Sequence, residues 1–190
     1  MLDVTASQTM PVEIVLAAGR GERFAASGGA VHKLQALLAG KPVIDHVLDA
    51  VKASGLPYHV VSADPARLGM GDSIAAGVRA TPGANGWLIL PADLPLITSD
   101  TLRRIAFASP CAVTVPVFNG QRGHPVRFGH ECVQELFNLQ GNQGAFQMIR
   151  ARAATDSVAF MAVDDVGCIT DVDTLDDLQR AETLFKNRCA

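Results

Sequence analysis

Val12-Glu13-Ile14-Val15-Leu16-Ala17 leads without a break into Ala18-Gly19-Arg20-Gly21-Glu22-Arg23. A near-continuous apolar run that stops at glycines reads as a strand covered on both faces, the usual state of a strand in a parallel sheet. The same punctuation recurs outward from it. Val43, Ile44, Val47, Leu48 and Val51 fall at helical offsets between Pro42 and Gly55, with proline suited to a first turn and glycine to the exit. Further strands are expected at 58–62, 87–90, 111–117, 126–128 and 158–163. Helices are expected at 72–81, from a cap at Thr98 or Ser99 to Phe107, and at 131–139, 145–153 and 174–187. Strands alternating with helices imply βαβ units. The fold class is therefore α/β: one Rossmann-like, three-layer αβα sandwich over 12–190 with a mainly parallel sheet, behind a flexible leader at 1–11. After Val117 the rhythm changes, which divides the domain into a first half, 12–117, and a second, 118–190, that carries a substrate-side insertion.

The 190 residues are 48% hydrophobic and 18% charged, which excludes a disordered chain. No apolar run approaches the ~20 residues of a membrane-spanning helix, and the leader has no basic start followed by an apolar stretch, so no signal peptide is expected. A net charge of −3 argues against a nucleic-acid partner. Cys111, Cys132, Cys168 and Cys189 form no C-x-x-C pair, so neither a zinc site nor a disulfide framework is expected, and a cytoplasmic setting is.

Ligands of open α/β sheets gather at the carboxyl ends of the strands, so the residues that follow each strand carry the functional reading. Gly19 and Gly21 let backbone N–H groups approach an anion, and Arg23 and Lys33 add positive charge. A dinucleotide fingerprint fails because Phe24 stands at its third glycine, and a P-loop fails because Pro42 follows Gly40-Lys41. An ordinary glycine turn with surface cations is the competing reading. Asp93 leaves a strand between Pro91 and Pro95, where a carboxylate suits Mg²⁺ that shares phosphate oxygens, or simply a turn. Arg122-Gly123-His124-Pro125 sets a guanidinium and an imidazole beside a flexible glycine. In Asp171-Val172-Asp173-Thr174-Leu175-Asp176-Asp177, Asp173 or Thr174 can cap the last helix and the later acids favour its dipole, while Asp171 is left over for a metal. His46 and His59 read as structural, and Asp164-Asp165 as a solvated turn.

Taken together, Leu16-Ala17-Ala18-Gly19-x-Gly21-x-Arg23 with Lys33 resembles the MobA-like nucleotidyltransferases. Gly69-Met70-Gly71-Asp72-Ser73, Ala92-Asp93-Leu94-Pro95, Arg122-Gly123-His124-Pro125, Gly141-Asn142-Gln143-Gly144-Ala145 and the Asp171–Asp177 stretch follow in the order of molybdenum-cofactor cytidylyltransferases. Departures are the Ala25–His32 segment, Asn142 in place of a common aspartate, and Asp72 in place of a common basic residue. The resemblance implies a fold of the nucleotide-diphospho-sugar transferase type and transfer of CMP from CTP to the phosphate of a molybdopterin-type acceptor. It assigns catalysis to Lys33, Arg23 and Asp93, and the nucleotide to Leu16, Ala17, Ala18, Gly19, Arg20, Gly21, Gly71 and Ser73. The acceptor falls to Arg122, Gly123, His124 and Gly144, with 141–145 shaping its pocket. Mg²⁺ falls to Asp93 with Asp171, Asp173 being the alternative. A molybdoenzyme apoprotein or its chaperone is a further partner, and neither nucleic acid nor membrane is. The Leu-Ala-Ala-Gly form resembles CTP users, and Leu-Ala-Gly-Gly the GTP users. Alternatives are a GTP-dependent enzyme, another phosphorylated acceptor, or a non-catalytic cofactor carrier; a flavin or nicotinamide redox enzyme is weaker.

Overall fold

A computed structural model describes residues 10–66, 69–109, 111–142 and 144–188. Most of the expected leader, together with Gln143 and Cys189, lies outside them; Pro11, at the leader's end, is buried. The elements in chain order are β1 (Val12–Ala17), α1 (Glu22–Ala26), β2 (Leu37–Leu38), β3 (Lys41–Pro42), α2 (Val43–Ser54), β4 (Tyr58–Ser62), α3 (Met70–Ala80) and β5 (Gly86–Pro91). They continue with α4 (Ser99–Ala106), β6 (Val113–Phe118), β7 (Gln121–Arg122), β8 (Val126–Gly129), α5 (Val133–Phe137), α6 (Phe146–Ala153), β9 (Val158–Ala162) and α7 (Leu175–Arg188).

A seven-stranded sheet in the order β4-β1-β5-β8-β6-β7, with β9 on the far side of β6, organises the described residues. β1 is parallel to β4 and β5, and β6 is parallel to β9. β8 runs antiparallel between β5 and β6, pairing Ile89 with Val126 and Thr114 with Arg127. The α/β class with a mainly parallel sheet is thus the observed one. Alternation along β1 sorts its side chains into two layers. Val15 joins Leu88 and Leu90 beneath Val43, Val47 and Val51 of α2, Leu102 and Ile105 of α4, and Ala181 of α7. Ile14 and Leu16 join Trp87 and Ile89 beneath Ile74 and Val78 of α3, Leu136 of α5 and Met148 of α6.

Two local expectations need correcting. Helix α3 starts at Met70 rather than Asp72, because the Asp72 carboxylate accepts the Gly69 N–H (3.1 Å) and closes the first turn ahead of it. Asp165 is no solvated residue. It is 4% exposed and accepts from Thr98 N–H (3.0 Å), Thr98 Oγ1 (2.8 Å) and Gly167 N–H (2.9 Å), and it pairs with Arg188 (2.8 Å). His46 is structural as expected, its ring nitrogen bonded to the Leu38 carbonyl (2.9 Å) and its edge against Phe185.

Candidate functional site

Because β1 and β5 are adjacent and parallel, their carboxyl ends bring the 18–23 turn and Asp93 to one rim of the sheet. A half-open cleft of about 740 Å³ lies there. Leu16, Ala18, Gly19, Arg20, Gly21, Arg23, Lys33, Ser73, Asp93, Arg122, Gly123, His124 and Asp171 all border it. Ala17, Gly71 and Gly144 do not. Ala17 packs with the α2 side of the core; Gly71 is buried with its N–H on the Gly141 carbonyl (2.8 Å). Gly144 sits behind Met70, whose sulfur would be 3.2 Å from a Cβ placed on it.

Gly21 turns the chain with φ 67°, a left-handed conformation that glycine adopts without strain. The turn is fixed from the far end of its loop, where His32 Nε2 bonds the Gly19 carbonyl (2.8 Å). One residue on, Lys33 enters a short 3₁₀ turn with only 8% of its surface exposed. Its Nζ donates to Asp93 Oδ2 (2.6 Å) and Asp173 Oδ1 (2.7 Å). Burial alone would depress the lysine pKa, but the two carboxylates outweigh it and hold the ammonium charged, above its ordinary range. Arg23 pairs with the other oxygen of Asp173 (2.6 Å). Asp173 is thus a cleft residue that binds two cations. Thr174 does the capping: its Oγ1 accepts from Asp177 N–H (3.2 Å) while Asp177 Oδ2 accepts from Thr174 N–H (2.9 Å).

Asp171 borders the same space. Burial, reinforced by the charges of Asp93, Asp173 and Asp177, pushes its carboxyl above the usual range. Asp93, Asp171 and Asp173 thus bring negative charge to one rim of the cleft, where a cation would be attracted. Among the described residues no three His, Cys, Asp or Glu side chains lie close enough to enclose a metal alone. Such a rim fits Mg²⁺, which takes one or two carboxylates and completes its shell from phosphate and water.

On the remaining wall the Arg122 guanidinium stacks over the Phe160 ring, 4.6 Å from its centre. His124, joined to Pro125 by a cis peptide, is held by its backbone N–H on the Cys168 carbonyl (2.8 Å). Its Nδ1 is buried without a partner among the described residues, and burial depresses its pKa, against the opposing pull of Asp93, the Ile89 carbonyl and Asp171. Gly123 must be glycine: a Cβ there would stand 2.4 Å from the Cys168 carbonyl oxygen. Cys168 and Ile169 line this wall too, and sequence reasoning missed both, since an apolar pair in a loop carries no chemical signal. Cys111, Cys132 and Cys168 are free thiols, and no helix among the described residues is long and apolar enough to cross a membrane.

A covered, mainly parallel sheet whose first turn is glycine-rich, with a buried lysine shared between cleft carboxylates, has the layout of a nucleotidyltransferase. The chain belongs to the MobA-like NTP transferase domain family, whose model matches residues 13–158. It is 27% identical over 188 residues to the purine catabolism protein PucB of Bacillus subtilis, covering 86% of this chain and 91% of PucB. It is 32% identical over 145 residues to the bifunctional protein GlmU of Xylella fastidiosa, where the match covers 64% of this chain and 30% of GlmU's length. A solved nucleotidyl transferase from Methanothermobacter shares the fold with a TM-score of 0.78 at 22% identity, over 94% of this chain and 99% of that one.

Proposed function

We propose that the protein transfers CMP from CTP to the phosphate of a molybdopterin-type acceptor, releasing pyrophosphate with Mg²⁺ present. The observation that carries this reading is Lys33, a buried charged amine held between Asp93 and Asp173 beside the glycine turn. Nucleotidyl transfer needs no protein nucleophile, because positioning and charge neutralisation suffice. A phosphate oxygen of the acceptor attacks the α-phosphorus of CTP, the bond to the bridging oxygen breaks, and pyrophosphate departs with that electron pair. Backbone N–H groups at 19–21 with Lys33 and Arg23 neutralise the triphosphate. Asp93 with Asp171 or Asp173 would hold Mg²⁺, which supplies further neutralisation of the phosphates. Arg122 and His124 face the acceptor.

Ala18 favours a pyrimidine. Its methyl narrows the wall next to the base, which crowds a two-ring purine. A methyl in a pocket shifts kcat/KM by roughly 10–200-fold. The test is a pyrophosphate-release assay over the four NTPs, with and without molybdopterin, on wild type and Ala18→Gly. The expected result is acceptor-dependent release with CTP and a smaller CTP-to-GTP ratio in the variant. Release with GTP alone, release without the acceptor, or binding without turnover would each replace this reading.

A further inference from the structure

We propose that the carboxamide of Asn142 reads the base of the bound nucleotide. The inference rests on an NTP occupying the cleft, but not on which NTP or which acceptor. The resemblance assigns the 141–145 turn to the acceptor pocket; Gly141 and Asn142 pack against the 69–72 segment, which the resemblance assigns to the nucleotide. Gly71 N–H donates to the Gly141 carbonyl (2.8 Å), and the Asp72 carboxylate receives Gly69 N–H and Gly141 N–H, each at 3.1 Å. The two loops touch so closely that a Cβ on Gly69 would stand 2.2 Å from the Gly141 carbonyl oxygen and 2.6 Å from Asn142 N. The 141–142 turn is therefore one wall with the start of α3.

The chemistry of that wall differs from the rest of the cleft. Lys33, Arg23, Asp93 and Asp173 gather the charge at the phosphate end. The wall offers Gly69, Met70, Ser73 and Asn142. Ser73 spends its hydroxyl proton on the Gly69 carbonyl (3.2 Å), and Met70 is 52% exposed, a thioether free to lie against a flat ring. The Asn142 backbone is committed, its carbonyl accepting Gly144 N–H (2.8 Å). Its exposed side chain has no hydrogen-bond partner among the described residues. A neutral wall with an apolar surface and one free carboxamide suits a nucleobase. A carboxamide offers a donor and an acceptor side by side, as a base edge does.

The test measures equilibrium binding of the four NTPs and of inorganic tripolyphosphate, without acceptor, to the full chain carrying Asn142→Ala or Asn142→Asp. Losing one neutral hydrogen bond should weaken the preferred NTP by roughly tenfold in Asn142→Ala. Tripolyphosphate, which has no base, should bind as to wild type. Asn142→Asp, which keeps the size and loses the donor, should reorder the four NTPs. Equal weakening of tripolyphosphate, an unchanged NTP ranking in both variants, or wild type that binds all four NTPs alike would overturn the proposal. A wild type that prefers an NTP other than CTP, with a ranking that Asn142 variants still change, would sink the CTP reading and leave this one standing.

Discussion

Lys33 shows what a single residue can and cannot disclose. Its proximity to a glycine turn made it a phosphate ligand from sequence. Nothing local pointed to Asp173, which lies 140 residues away and sits in a stretch that reads equally well as a helix cap. Only the fold shows that the lysine already has two carboxylates on it, so an arriving triphosphate must compete with Asp93 and Asp173. Lys33→Met should therefore lower kcat/KM for the NTP by about 10²-fold or more, the scale for losing a fixed charge at the reacting phosphate. An unchanged value would detach Lys33 from the nucleotide. Arg122 poses a smaller question of the same kind. The loop motif predicted its presence at the acceptor side, but not the Phe160 ring beneath it, which lies on a different strand. An exposed cation–π contact contributes about 0.5–1 kcal/mol. Phe160→Leu should thus raise the acceptor KM roughly two- to fivefold with the NTP KM unchanged, and Phe160→Tyr should restore it; equal rises in both KM values would count against an orienting role.

Among the elements, the long periodic ones were legible and the short ones were not. β1, α2, β4 and α4 fall within a residue or two of the expected bounds because each is an apolar run or helical period long enough to read and bounded by glycine, proline or a cap. α1 has five residues and β2, β3 and β7 two each, too few to express one. Asp165 reads as part of a solvated turn for a related reason: it serves elements other than its own. From the loop after β9 it caps the start of α4 through Thr98 and anchors the end of α7 through Arg188. Burial alone would raise its pKa, but hydrogen bonds from Thr101, Thr98 and Gly167 reverse this and hold it below the usual carboxylate range. Asp165→Ala strands buried donors and a guanidinium at once, a loss on the order of 3 kcal/mol. For a chain of this size that lowers Tm by roughly 6–12 °C in thermal unfolding at neutral pH. Because the folded pKa is depressed, the contribution is present above the unfolded value and lost as pH falls. The gap between wild type and variant should therefore narrow in acid; a gap independent of pH would mean that the charge on Asp165 is not what matters.

The whole molecule follows from one decision at β1, yet the order of its strands does not. The insertion of β8, antiparallel between β5 and β6, depends on pairings between distant segments that no local pattern encodes, and it is what swings Arg122–His124 over the rim that β1 and β5 build. β1 also carries, between β4 and β5, one residue that contradicts its surroundings. Glu13 is 0% exposed, and neither of its carboxylate oxygens has a hydrogen-bond partner among the described residues. The nearby Ser54 hydroxyl already donates to the Val51 carbonyl (2.7 Å) and does little for a carboxylate. Burial pushes the Glu13 carboxyl from its ordinary value of 4.5 up to about 8. In the folded protein the side chain thus keeps its proton at neutral pH, while the unfolded chain gives it up above about pH 4.5. The folded state binds more protons throughout that interval, so stability falls as pH rises, by up to ~1.4 kcal/mol per pH unit, and levels off once Glu13 ionises in the fold. Glutamine keeps the shape without the titration. Glu13→Gln should therefore gain on wild type steadily from about pH 5 to pH 8, as read from denaturant midpoints at fixed temperature. Parallel midpoints across that range would show that Glu13 is ionised in the folded protein and that its charge is met by water or by a shift of the strand end.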